Sequence, residues 1–316
     1  MISKILGGIS SSVRSKLVAH RGYHDVNDSL SRPLENTVEA YKQAFKELSL
    51  AECDVTCSKD GVIYLCHDSN FKRLTSSSNA DETKSNVDVV GLSSVEIDSI
   101  ELTDSQRPAR LRHVLEVCAR MSTPRHIRKL VIEIKPSAPE RMLVILIKEL
   151  EKNPSLLKNV GVVMSFNHHI VKRFREIYEE SAKKHKPFVS SRPKFLILCR
   201  STQVFSKTKT NQRKRCLKTD MCDSTIDFRN TKDIARILKE QDGKVDGFYL
   251  QLSDDMINDD EGFKSLKYLC SKYTIGVWGS AKLGDPDSLD CAFRLLSAGV
   301  SFVNTDIPEK FAISSL

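Results

Sequence analysis

No run of the sequence approaches the roughly 20 consecutive apolar residues that a bilayer-spanning helix needs. The most apolar helical stretch, 142–147, is flanked by charge and reads as core-facing. No GxGxxG turn follows the first strand-like segment, which argues against a dinucleotide-binding, doubly wound sheet. The nine cysteines include no CxxC pair, and their odd number leaves at least one thiol unpaired. Cys53, Cys66, Cys199 and Cys270 lie inside apolar runs, where a thiol packs as a small hydrophobe. That usage points to a reducing, cytoplasmic compartment, in which the sequon Asn27-Asp28-Ser29 has no use. Tryptophan occurs once, and no aromatic interrupts the basic run SKTKTNQRKRC, which weakens a nucleic-acid reading.

What is present fits an ordinary globular enzyme. An apolar fraction of 40% and a charged fraction of 28% over 316 residues support a sizeable core. The formal charge of +8 suits an anionic substrate, a phosphate-rich surface or nucleic acid without choosing among them. The first residues carry Lys, Arg and several serines but no acid, a faint likeness to an organellar transit peptide. The first strand begins by Lys16, so residues 1–15 are set apart as a leader and 16–316 as the folded domain.

Short β-rich runs are expected at 16–20, 50–55, 129–135, 160–166, 194–199, 246–252, 273–279 and 300–306, with amphipathic helical patterns between them. Strands alternating with helices imply parallel crossovers, and eight of them imply closure into an α/β TIM (β/α)8 barrel. Two segments depart from the repeat. GVIYLCHD (61–68) follows the turn Ser58-Lys59-Asp60-Gly61 and reads as a small hairpin excursion beyond the second barrel strand. A Ser/Asn/Asp-rich loop over 69–90 comes next. The polar, basic stretch 200–230 reads as an insertion after the fifth strand, with a peripheral membrane contact as one use.

Alternation in a strand puts Glu52 and Asp54 on one face near the carboxyl end of the second strand, where barrel enzymes place their chemistry. Glu133 and Lys135 repeat that spacing in VIEIKP. Three converging carboxylates repel unless a cation sits between them, and hard oxygen ligands suit Mg²⁺ or Ca²⁺. His20 and His67 each end a strand and suit acid/base work near neutral pH. Arg21 offers a planar fork for phosphate oxygens and Lys135 a compact charge. Gly22 lets the backbone approach a ligand closely. Asn36 reads as the N-cap of the helix beginning at Thr37 or Val38.

Taken together, His20-Arg21-Gly22, Glu35-Asn36-Thr37, Glu52-x-Asp54, Lys59-Asp60-Gly61, His67-Asp68 and Glu133-x-Lys135 resemble the glycerophosphodiester phosphodiesterases, a branch of the phospholipase-C-like phosphodiesterase barrels. Val277-Trp278 and Asn304-Thr305-Asp306-x-Pro308 extend the resemblance to about residue 308. It implies that Glu52, Asp54 and Glu133 hold one divalent cation, that His20 and His67 are the catalytic pair, and that Arg21 and Lys135 hold the phosphate. It also implies that Trp278 lines the substrate cleft, with Glu35 and Asn36 in support. The family continues Trp with Thr and then Asn, whereas this chain reads Trp278-Gly279-Ser280-Ala281, so the departing alcohol is left open.

The implied activity is metal-dependent hydrolysis of a small-molecule glycerophosphodiester to glycerol 3-phosphate and an alcohol. A lysophospholipase D on the same barrel is the rival enzyme, favoured by any hydrophobic lip at the cleft. Sphingomyelinase D toxins share the paired histidines but lack the full motif framing. A non-catalytic phosphate-binding protein is the rival of another class.

Overall fold

A computed structural model describes residues 13–24, 32–75, 82–202, 224–279 and 287–311. Among the described residues ten strands are formed: β1 (Leu17–Ala19), β2 (Leu50–Cys57), β3 (Ile63–Leu65), β4 (Lys129–Ile134), β5 (Val160–Ser165), β6 (Lys194–Ser201), β7 (Thr225–Ile226), β8 (Gly247–Gln251), β9 (Thr274–Trp278) and β10 (Phe302–Thr305). Their order is β1-β10-β9-β8-β6-β5-β4-β2-β3, and β1 also pairs with β2. The fold is therefore the expected (β/α)8 barrel, with β3 and β7 as additions to the eight barrel strands.

The chain groups into two compact units, one of Met1–Val18, Met164–Lys172 and Lys194–Leu316, the other of Ala19–Val163 and Arg173–Pro193. In the second unit β2 and β4 run parallel, with Glu52 opposite Val131 and Asp54 opposite Glu133. All eight residues of β2 are buried, because this strand is covered on both faces. Its polar residues at 52 and 54 therefore sit inside the protein rather than at a wet rim. Helix Val38–Glu47 leads into β2, burying Ala40, Tyr41, Ala44 and Phe45, with a Thr37 cap that accepts from Ala40 N. Such a cap contributes about 1 kcal/mol.

The excursion is the expected hairpin: β3 pairs antiparallel to β2, with Val55 opposite Leu65 and Cys57 opposite Ile63. The Asp60 carboxylate accepts from Ser58 Oγ at 2.6 Å, Ser94 N at 2.8 Å and Ser94 Oγ at 2.6 Å, which fixes the turn. Of the expected loop over 69–90, residues 76–81 lie outside the described residues, and the described parts carry local structure. They contain 3-10 turns at Lys72–Leu74 and Val89–Gly91 and a short helix at Glu82–Ser85. Helix Ser94–Ser99 follows, opened by a Ser93/Glu96 capping box. These pieces close over a satellite core that includes Tyr64, Phe71, Leu74, Val89 and Ile97. Local caps and a handful of apolar anchors order a segment whose period is too short to read.

In the other unit β6, β8, β9 and β10 form a parallel ladder, with Leu196 opposite Gly247, Tyr249 opposite Gly276 and Phe302 opposite Gly276. A Cβ at Gly276 would lie 2.4 Å from the Tyr249 ring, so this position takes no side chain. Of the expected basic insertion at 200–230, residues 203–223 lie outside the described residues; Thr225–Ile226 forms β7 beside Arg200–Ser201 of β6. Among the described residues no helix is long and apolar enough to cross a membrane. The seven described cysteines are all unpaired, and Cys53, Cys57, Cys66, Cys118 and Cys199 are buried.

Candidate active site

The second unit gathers most of the expected site. β1 ends at Ala19, and the chain turns at once through half-buried His20 into two residues with positive φ, Arg21 at +52° and Gly22 at +84°. A Cβ at Gly22 would stand 2.8 Å from Ala40 Cβ, so both the dihedral and the space require glycine. The turn aims Arg21 at the acids. Its backbone N–H donates to Glu52 Oε2 at 3.1 Å, its NH1 donates to both Glu35 oxygens at 3.2 and 3.3 Å, and its Nε lies 3.4 Å from Asp54 Oδ2.

Asn36 does not cap the helix, as the sequence suggested; Thr37 does. Asn36 adopts φ +56°, its backbone N–H donates to Arg21 O at 3.0 Å, and its Nδ2 donates to Asp54 Oδ2 at 3.0 Å. Its Oδ1 lies 2.7 Å from the buried Tyr41 hydroxyl, which is also 2.9 Å from the Glu52 carbonyl oxygen. Asparagine tolerates the left-handed region better than other side chains, which is why it can turn away from a cap and into a site.

Glu52, Asp54 and Glu133 each offer an oxygen within 4.8 Å of the others, all three buried. Parallel pairing produces the crowding, since Asp54 faces Glu133 across the ladder and Glu52 projects two residues earlier on the same face. Lys135 Nζ sits 3.1 Å from Asp54 Oδ1 and 2.8 Å from Glu133 Oε1. Burial and the neighbouring Asp54 and Glu133 charges push the Glu52 carboxyl up to about 8, against the opposing pull of His20 and Arg21. Burial would also raise Asp54, but Lys135, Arg21, His67 and the Asn36 amide hold it well below the usual carboxylate range. Burial works against the charged Arg21 guanidinium, yet Asp54, Glu35 and Glu52 raise it above its ordinary value.

This arrangement fits a divalent cation. Glu133 Oε1 is buried, and its charge is met by the Lys135 ammonium at 2.8 Å. The Glu52 carboxylate accepts from the Arg21 backbone N–H at 3.1 Å. The crowding has a consequence for stability. Glu52 ionises near pH 4.3 in an unfolded chain but only near 8 when folded, so between those values the folded state holds the extra proton. Chelator-treated protein should therefore lose stability as pH rises from 5 to 8. Denaturant midpoints in EDTA measure this; a flat trend, or the same slope in Glu52→Gln, would contradict it. Asp54, held low, acts only in a separate window below about pH 4.

His67 follows β3 and is half-buried. Its Nδ1 lies 2.9 Å from Asp68 Oδ1, so in the neutral ring Nδ1–H donates to that carboxylate and Nε2 presents its lone pair. Two residues of this network had little readable signal. Arg73 donates from Nε to Asp68 Oδ2 at 2.8 Å and from its two terminal nitrogens to Glu35 at 2.9 and 2.7 Å. His24 packs edge-on to His20, with ring centroids 6.1 Å apart, and HRGYH was the only hint of it. Burial opposes ionisation of Glu35, but Arg73 and Arg21 hold its carboxyl low.

Trp278 belongs to the other unit. It is half-buried, donates from Nε1 to Cys199 O at 3.2 Å and stands edge-on to Phe166 at 5.6 Å, with the Arg200 guanidinium 4.6 Å over the Phe166 ring. Of the expected departure after it, Ser280 and Ala281 lie outside the described residues.

Solved structures share this fold over nearly the whole chain. A glycerophosphodiester phosphodiesterase from Parabacteroides distasonis is 15% identical, with a TM-score of 0.58 over 94% of this chain and 95% of its own. One from Thermotoga maritima is 19% identical, with a TM-score of 0.56 over 94% and 96%. A phosphodiesterase from Oleispira antarctica, solved with the product sn-glycerol-3-phosphate, is 15% identical, with a TM-score of 0.57 over 96% and 97%. A search of curated protein sequences finds no significant match. Residues 20–215, more than half of the chain, match the model of the glycerophosphoryl diester phosphodiesterase family. That span holds every residue of the acid, cation and histidine network, and it makes the chain a member of that family of phosphoric diester hydrolases.

Proposed function

We propose that the protein hydrolyses glycerophosphodiesters to glycerol 3-phosphate and an alcohol, with His20 and His67 moving the protons. The observation that carries this reading is the convergence of Glu52, Asp54 and Glu133 under two cations, Arg21 and Lys135. Glu52, Asp54 and Glu133 would hold one Mg²⁺ or Ca²⁺, which when bound supplies positive charge to the phosphoryl oxygens. Arg21 and Lys135 bring further positive charge to that place, and the carboxylates fix both side chains before substrate arrives. One histidine takes a proton from the attacking oxygen as the new P–O bond forms. The other gives a proton to the departing alkoxide as the old P–O bond breaks. Asp68 sets the ring and tautomer of His67. The product in the Oleispira antarctica structure supports glycerol 3-phosphate as the retained half.

A lysolipid is the second substrate reading, favoured by Val87, Val90 and Val95, which are exposed on the segment that follows His67. The unpaired cysteines support a reducing, cytoplasmic setting. Membrane contact through the basic insertion and indifference to nucleic acid complete the proposal.

Assays of glycerophosphocholine, glycerophosphoethanolamine and lysophosphatidylcholine with Mg²⁺, Ca²⁺ or EDTA test the reading. Turnover of a soluble diester that EDTA abolishes and Mg²⁺ or Ca²⁺ restores is the expected result. Preference for the lysolipid would move the substrate to the second reading. Activity untouched by chelation would remove the cation from the mechanism, and a folded protein inert on all three would turn the site into a binding site.

A further inference from the structure

We infer that Arg73 is a positioning residue that joins the proton-transfer half of the site to its phosphate-binding half. This rests on the reading of His67 as a catalytic group. Three donors of one guanidinium are committed to two carboxylates: Nε to Asp68 Oδ2 at 2.8 Å, NH1 to Glu35 Oε2 at 2.9 Å and NH2 to Glu35 Oε1 at 2.7 Å. Asp68 in turn meets His67 Nδ1 at 2.9 Å. Glu35 holds the NH1 group of Arg21, whose backbone N–H bonds Glu52. An unbroken chain of charged contacts thus runs His67–Asp68–Arg73–Glu35–Arg21.

The ends of this chain come from different parts of the fold. His67 and Asp68 end the excursion and Arg73 lies in the 3-10 turn that follows it, while Arg21 and Glu35 flank the first barrel strand and its helix. Phe71 and Leu74, on either side of Arg73, are buried in the satellite core and anchor the turn that presents it. The excursion can therefore place His67 correctly only while Arg73 grips Glu35. Lysine could keep the charge but not the fork, since one nitrogen cannot hold both carboxylates in plane. Outer groups that orient catalytic side chains typically carry about 10–100-fold in activity.

The test compares kcat and KM for Arg73→Ala, Arg73→Lys, His67→Ala and Ile97→Val on glycerophosphocholine. Arg73→Ala should lower kcat by about 10–100-fold with a smaller change in KM. Free guanidinium should restore part of that loss where methylammonium does not. Arg73→Lys should fall between. Ile97→Val, which loosens the same satellite core away from the relay, should lower the Tm and keep kcat. If Arg73→Ala does not fold, a depressed kcat in Arg73→Lys at a wild-type Tm carries the same result. Wild-type kcat in either Arg73 variant beside an inactive His67→Ala overturns the positioning role alone. Loss of kcat in Arg73→Ala that guanidinium fails to restore also overturns it, since the residue would then serve only folding. An inactive wild type, or an active His67→Ala, overturns the reading of His67 and this inference with it.

Discussion

Asp54→Ala is expected to remove catalysis and much of the fold's stability in one step. The Asp54 carboxylate is 1% exposed and meets Lys135 at 3.1 Å, Arg21 at 3.4 Å and the Asn36 amide at 3.0 Å. Removing it leaves two partly buried cations, Arg21 and Lys135, with one carboxylate partner fewer each, at a cost of about 3 kcal/mol, the lower end for a broken buried pair. A cation site reduced to Glu52 and Glu133 would also forfeit several kcal/mol of transition-state stabilisation, or a fall of about 10³-fold or more in kcat/KM. Asp54→Asn separates the two effects. It keeps the shape and an acceptor for Asn36 but not the charge, so it should recover more stability than activity. Urea midpoints and kcat/KM for the two variants read this directly; an Asp54→Ala protein of wild-type stability would contradict the buried network.

The second large effect is expected at the histidines. His20→Ala and His67→Ala should each lower kcat by about 10²–10⁴-fold, with little change in Tm, because both rings are half-exposed. The two defects should respond differently to the leaving group. A substrate that releases p-nitrophenol needs no proton at its departing oxygen, so the variant lacking the acid should recover on it and the variant lacking the base should not. Each variant should also lose one limb of the bell-shaped pH profile of kcat/KM. Equal defects on every leaving group, with both limbs intact, would refute divided acid and base roles.

The barrel strands and main helices were legible because each crosses a buried layer, and burial writes a period into the sequence. β4, β5 and β9 fall within a residue of their expected ends. β2 runs two residues further than its apolar pattern, since Thr56 and Cys57 continue into the hairpin rather than closing the strand. The carboxylates were legible as a set because the i, i+2 rule and parallel pairing bring them to one place.

Three roles were hidden in the sequence. Asn36 has the composition of a cap, and only its left-handed backbone turns it toward Asp54. Arg73 stands in a polar loop without period, and its meaning arises only when the excursion folds back on Glu35. Tyr41 reads as a core aromatic on a helix, and it is one, yet its hydroxyl also braces Asn36. The Asn36 and Arg73 roles depend on contacts 18 and 38 residues apart in sequence, which neither propensity nor spacing encodes.

The unpaired, buried thiols give the protein a set of internal clocks. Cys53 alternates with Glu52 and Asp54 along β2 and so faces away from them, whereas Cys66, next to His67 in sequence, lies in the satellite core. A thiol reagent can reach either one only when its own part of the fold opens. The labelling rate at Cys66 therefore times the opening of the excursion, and the rate at Cys53 times the rupture of the barrel wall. Adding a divalent cation should slow the second far more than the first, so that the folded chain reports where binding energy is deposited without any introduced probe.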